Sequence, residues 1–127
     1  YGMRPQIAMM QWQEWCERCS LFIAHNDAFD TKVMQCFAKR TGFNPDVFST
    51  GAKFCTMQSL TNVCKVPNPN GRGGFKWPKL IEAYTFAFGR AFEDAHNALA
   101  DVNACGDLFW WMIDRDLIRL NQWGHNV

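Results

Sequence analysis

Two segments of this chain hold residues whose types and spacing could do chemistry: His25-Asn26-Asp27-Ala28-Phe29-Asp30 and, much later, His96-Asn97-Ala98-Leu99-Ala100-Asp101. Each sets an imidazole and a carboxylate beside an apolar stretch, where such groups cost free energy unless they are paired or used. Carboxylates are hard oxygen donors suited to divalent cations such as Mg²⁺. An imidazole, titrating near ~6.5 in water, can take a proton from an attacking water at neutral pH. The chemistry on offer is metal-assisted hydrolysis with a separate base. Plainer readings stand beside it. Asp30 and Asp101 would also serve as first-turn acids complementing a helix dipole. His25 could be a satisfied core histidine, and His96 a solvated residue at a helix N-terminus.

The elements that must position these residues can be read from periodicity. Leu21-Phe-Ile-Ala24 is apolar without alternation, the pattern of a strand buried on both faces. A helix is expected from about Asp27, with Phe29, Val33, Cys36 and Phe37 as its apolar stripe and Gly42 as its stop. Asp30 then falls in the first turn after a strand, the usual ligand crevice of an open α/β sheet. His96 and Asp101 would diverge by ~140° if both were helical. They come together only if His96 lies in the approach to a last helix, over about 97–120, and Asp101 in its first turns. Asp94 is the expected cap there, and Ala98, Val102, Cys105, Phe109 and Met112 the expected buried stripe.

Elsewhere the spacing predicts a helix over 5–19, opened by Pro5, with Ala8, Trp12, Trp15 and Cys19 inward. A weaker strand, Phe54–Met57, leads into a short helix through Val63, and 66–74 is a loop. Pro78 opens the first turn of a helix carrying Leu80, Ile81, Tyr84 and Phe88, which Gly89 ends. The order is α/β, helix-rich around few strands. Two short strands cannot bury the faces of four or five helices. The chain therefore reads as the C-terminal portion of a larger α/β domain, and its start at Tyr1, without Met, agrees with a segment lying upstream. No repeat, low-complexity tract or linker divides it, so residues 1–127 are read as one incomplete domain.

Thirteen Lys and Arg against 12 Asp and Glu exclude a polybasic binder, and any nucleic-acid contact must come from a local patch. No apolar run approaches the ~20 residues of a membrane span. No leader is visible either, so a cytoplasmic location is expected. The six cysteines fall mostly in apolar periodic stretches and are expected to be reduced, small core residues. Cys16-Glu-Arg-Cys19 lacks a second ligand pair at zinc-finger spacing.

His25-Asn26-x-x-Phe29-Asp30 resembles the second motif of the DEDDh 3′–5′ exonucleases, and His96-x-x-x-x-Asp101 resembles their third. That family includes proofreading exonucleases and ribonuclease-T-like enzymes with a ribonuclease-H-like fold. Phe75-Lys-Trp-Pro-Lys-Leu80 is similar to the stretch that often precedes the third motif in bacterial and phage members. The resemblance runs from about Pro5 to Met112. It implies four acids holding two Mg²⁺ or Mn²⁺ ions ~4 Å apart, clamping the attacking and leaving oxygens. Asp30 would help hold the leaving-group-side ion and Asp101 the ion that activates the attacking water. His96 would be the general base, with His25 and Asn26 supporting the site; Phe29 is read as core. A polymerase or a second copy is the implied protein partner.

The family's first motif, Asp-x-Glu, does not occur in these 127 residues. Glu14 and Glu17, on an amphipathic helix, cannot replace it. Two carboxylates are a poor cage for two cations that each need six oxygen ligands. The expectation is an exonuclease acting on DNA or RNA from the 3′ end, inactive unless the first strands come from a preceding segment or another polypeptide. The competing reading is a catalytically dead, nuclease-like module that binds nucleic acid or a protein partner; a structural-zinc protein built on Cys16 and Cys19 is a third. Lys65, Arg72, Lys76 and Lys79 interleave with Phe75 and Trp77 in a glycine-rich stretch. Cations for phosphates and aromatic faces for bases are what single-strand binding uses. Arg72, Lys76 and Trp77 are the expected contacts, against the plainer reading of a solvated loop with its aromatics tucked inward. Trp110, Trp111 and Trp123 are assigned to packing or a subunit contact.

Overall fold

The computed structural model describes residues 3–48 and 52–120. The elements are α1 (Pro5–Arg18), β1 (Leu21–Ala24), α2 (Asp27–Thr41), a 3₁₀ turn (Pro45–Phe48), β2 (Ala52–Cys55), α3 (Thr56–Cys64), α4 (Leu80–Phe88) and α5 (Ala98–Asp114). β1 and β2 form a two-stranded parallel sheet, so the described residues are mixed α/β and helix-rich. No helix among them is long and apolar enough to cross a membrane. Two compact units are present. One comprises the residues up to Phe22 with Asp27–Phe54; the other comprises Ile23–Asn26 with the residues from Cys55 onward.

In the first unit α1 and α2 meet through small or flexible side chains. Met9 and Cys16 of α1 and Ala38 of α2 are buried, with Phe22, Met34, Phe37 and Phe43 packed around them. Apart from Phe37, which packs inward as expected, both expected stripes are turned about one residue, ~100°, from the faces used. Trp15, Cys19, Phe29, Val33 and Cys36 are exposed, and Trp12 is at the margin. Close approach of two helices favours Cys16 and Ala38 at the contact and leaves the bulky rings at its edge. α2 stops where expected. Gly42 takes φ 83° while Phe43 N–H reaches the Ala38 carbonyl at 2.9 Å, which satisfies a carbonyl the helix end would orphan.

The second unit packs α3, α4 and α5 together. Its buried residues are Met57 and Leu60 of α3, Ala83 and Tyr84 of α4, and Ala104, Cys105, Leu108, Phe109 and Met112 of α5. Tyr84 contacts Phe88 and Phe92 ring to ring, at 4.6 and 5.1 Å. Cys105, Phe109 and Met112 are inward as expected, whereas Ala98 and Val102 face solvent. α5 is apolar on two sides, and Leu108 with Ala104 won the core. The helix also ends earlier than expected, at Asp114. Asp116, at φ 59°, turns the chain, with its N–H on the Ile113 carbonyl and Leu117 N–H on that of Met112. Arg119 pairs with Asp116 across that turn, at 3.2 Å.

Two shorter shifts matter for the site. β2 lies two residues before the expected strand, because Thr56 and Met57 begin α3 instead. Pro78 precedes α4 rather than opening its first turn, and Lys79 is the N-cap. The stretch after α3 is a loop closed at its base by an antiparallel bridge between Pro67 and Phe75, with Lys76 N–H donating to the Val66 carbonyl at 3.0 Å.

Candidate functional site

His25 sits at the end of β1 with both ring nitrogens engaged. Nε2 lies 2.8 Å from the Pro78 carbonyl and Nδ1 lies 2.9 Å from Thr56 Oγ1. A carbonyl only accepts, so Nε2 carries a proton. Burial pushes the imidazole pKa below its ordinary value, with the Pro78 bond opposing more weakly, so the ring is neutral at pH 7. Nδ1 is then an acceptor, and the Thr56 hydroxyl donates to it. That hydroxyl has one proton. The Cys105 thiol, 3.7 Å from Thr56 Oγ1, therefore acts as the donor there. The Ala24 carbonyl, 3.4 Å from Oγ1, is its weaker alternative acceptor. His25 is the satisfied histidine of the plainer reading, with both ring nitrogens held inside the fold. Asn26, next in the turn, takes φ 75°, a conformation asparagine tolerates better than most residues.

Those bonds reach α5. Cys105 lies one helical turn beyond Asp101 on the same face. The turn after β1 and the carboxylate of the later segment are thus tied to one helix, within one unit. Asn97 caps α5, its side chain accepting from Leu99 and Ala100 N–H, while Asp94 contributes only a backbone carbonyl to Asn97 N–H. Asn97, and not the expected Asp94, is the cap of α5. His96 lies in the approach and Asp101 in the first turn, and Asp101 Oδ1 accepts from His96 N–H at 3.2 Å. Asp101 is thus a first-turn acid that ties down its loop; it is half-buried, whereas His96 is exposed.

Five non-glycine residues among those described have positive φ: Asn26, Lys65, Asp94, His96 and Asp116. Lys65 and Asp116 terminate helices. Asn26 and His96 fall in the two segments singled out for chemistry, and Asp94 lies two residues before the second. Backbone held in sparsely populated regions concentrates at working sites.

Asp30, in the first unit, is exposed in the first turn of α2, as expected. Phe29 beside it is 61% exposed and does not belong to the core assigned to it. Nearby, Lys53 of β2 donates to Thr31 Oγ1 at 3.2 Å.

The loop after α3 is more structured than its composition suggests. Lys76 Nζ lies 2.6 Å from Glu82 Oε1, an oxygen that also accepts from Lys79 N–H at 2.9 Å. The Lys76 bond first, and then the Lys79 N–H, hold the Glu82 carboxyl below the usual carboxylate range. Lys76 is therefore already paired, which weakens its assignment as a phosphate contact. Arg72 is exposed, and Trp77 is 61% exposed even though Pro78 beside it is buried. Trp110 is exposed and Trp111 half-buried against Phe86, at 6.3 Å between centroids; Trp123 lies outside the described residues.

Of the cysteines, Cys16 and Cys105 are buried and all six are free thiols, while Cys19 and Cys36 are exposed rather than in the core. Among the described residues no group of three or more His, Cys, Asp or Glu could hold a metal ion. The donors present do not fit a two-ion centre by themselves. Compared with models of known protein families, with curated proteins and with solved structures, the chain matches none. Sequence reasoning missed Thr56, Pro78 and Cys105, whose importance comes only from what folding brings to His25.

Proposed function

We propose that this chain is the C-terminal portion of a DEDDh-type 3′–5′ exonuclease domain, which releases nucleoside monophosphates from the 3′ end of DNA or RNA with Mg²⁺ or Mn²⁺. One observation carries the reading: the turn after β1 and Asp101 are both fixed to α5, through His25–Thr56–Cys105 and through the first turn of the helix. His96, in the approach loop and exposed, is free of the helix period and is the base that takes a proton from the attacking water. Asp30 and Asp101 are two of the acids such a centre needs, and the Asp-x-Glu pair would have to come from outside these 127 residues. Arg72 and Trp77 are exposed for phosphate and base contacts respectively.

The test is digestion of 3′-labelled single-stranded DNA and RNA by the full-length gene product with Mg²⁺ or Mn²⁺. Release of nucleoside monophosphates that is lost in Asp101→Asn supports the proposal. Strand binding without digestion leaves the nuclease-like binding module in its place.

A further inference from the structure

Trp77 is an exposed ring on anchored backbone. On one side Lys76 is held by its N–H to Val66 and its ammonium to Glu82. On the other side Pro78 is fully buried and its carbonyl accepts a hydrogen bond from His25 Nε2–H. An indole held this way loses little freedom when a base stacks on it, so its platform is preorganised. The same imidazole, through Nδ1, holds Thr56 at the start of α3, and Thr56 meets Cys105 one turn from Asp101. A single side chain thus joins the loop that presents Trp77 to the helix that presents the acid.

We infer that His25 is a positioning residue that couples the Trp77 loop to α5, so that a single strand stacked on Trp77 is held in register with Asp101. The inference rests on the exonuclease reading for its ligand class, a single-stranded nucleic acid, and adds a joint between strand-holding and acid-bearing parts. The two ring nitrogens have separate duties. Nε2–H fixes the loop, and Nδ1 fixes the α3–α5 side. Binding at Trp77 must therefore be felt at Nε2, and the bond at Nε2 must in turn be felt in binding.

Side-chain amides separate the two duties. In His25→Gln the amide nitrogen takes the place of Nε2 and can still donate to Pro78. In His25→Asn the amide oxygen takes the place of Nδ1 and can still accept from Thr56, while Pro78 loses its donor. The experiment uses the full-length gene product, kept free of divalent metal with a chelator, with ¹⁵N-labelled histidine and a fluorescent oligothymidylate of about ten nucleotides, long enough to cross one such binding groove. The wild-type chain is expected to show His25 as the neutral Nε2–H tautomer, and the oligonucleotide to shift its Nε2 resonance. Trp77→Ala should abolish that shift. His25→Asn should bind the oligonucleotide about fivefold more weakly, the usual scale of one lost hydrogen bond, and His25→Gln within about twofold of wild type.

An Nδ1–H tautomer, or binding that leaves Nε2 unmoved, overturns the coupling on the wild-type chain alone, whether or not the variants fold. Equal affinity for His25→Asn and wild type also overturns it, while leaving the exonuclease reading intact. A wild-type chain that binds no oligonucleotide removes the ligand class and the inference with it, and digestion by the full-length product then judges the exonuclease reading on its own.

Discussion

The two histidines that stand out in the sequence do opposite things. His25 spends both ring nitrogens inside the fold, on partners 31 and 53 residues away in the chain. His96 keeps its imidazole exposed and uses only its backbone N–H, on Asp101. Nothing in residue type separates them; what separates them is long-range contact, which local spacing does not encode. The difference has a pH consequence. Burial lowers the His25 pKa in the folded chain, so below the ordinary value of 6.5 the unfolded chain binds the extra proton first. Its contribution to stability is therefore complete above that pH and is lost as pH falls toward the folded value. Thermal unfolding followed through that window should show stability declining with acidification, and His25→Gln should flatten the slope. An unchanged slope would mean that His25 is not the buried neutral group described. For His96 the expectation concerns rate. In the active full-length product His96→Ala should lower turnover by ~10²–10⁴ with strand affinity kept, as for removal of a general base. Equal loss of both would make it a binding residue.

At the scale of elements, the punctuation was more legible than the faces. Pro5, Gly42 and Gly89 mark helix ends where the structure has them, because proline and glycine act on their own backbone. The buried face of α1 and most of that of α2 were displaced, and α5 kept Cys105, Phe109 and Met112 inward but not Ala98 and Val102. Each helix carries apolar residues beyond one stripe, and packing against a neighbour chooses among them. α5 gives a direct contrast. Leu108→Ala, in the core, should cost about 2–5 kcal/mol by denaturant unfolding, whereas Val102→Ala, 66% exposed, should stay within about 0.5 kcal/mol. Equal losses at the two positions would put the core on the wrong side of the helix. The loop presenting Trp77 revises an expectation from composition, since Lys76 is neutralised by Glu82. Arg72→Ala should reduce the salt dependence of oligonucleotide binding by about one ion, while Lys76→Ala should leave the slope nearly unchanged. Equal effects would show that Lys76 leaves Glu82 to reach phosphate.

For the whole molecule, element order carried the α/β class, since a buried apolar strand, a following helix and a second strand are local patterns. The two compact units are not set apart by a linker in the sequence; their boundaries fall within β1, at the start of α2 and at the end of β2. The placement of His25, Asp30, His96 and Asp101 at element junctions was legible, because junctions show in periodicity. The bonds through Thr56, Pro78 and Cys105 were not, since they join residues far apart in the chain. The central claim is that these junctions belong to an exonuclease completed by an Asp-x-Glu pair from outside this chain. The most direct measurement is release of nucleoside monophosphates from 3′-labelled single strands by the full-length gene product, with Mg²⁺ or Mn²⁺, beside its Asp101→Asn variant. That variant keeps an oxygen for His96 N–H and so keeps the loop. Metal-dependent release by the parent, lost in a folded Asp101→Asn, is the result predicted. No release from either DNA or RNA with either ion, or equal release by the variant, would contradict it.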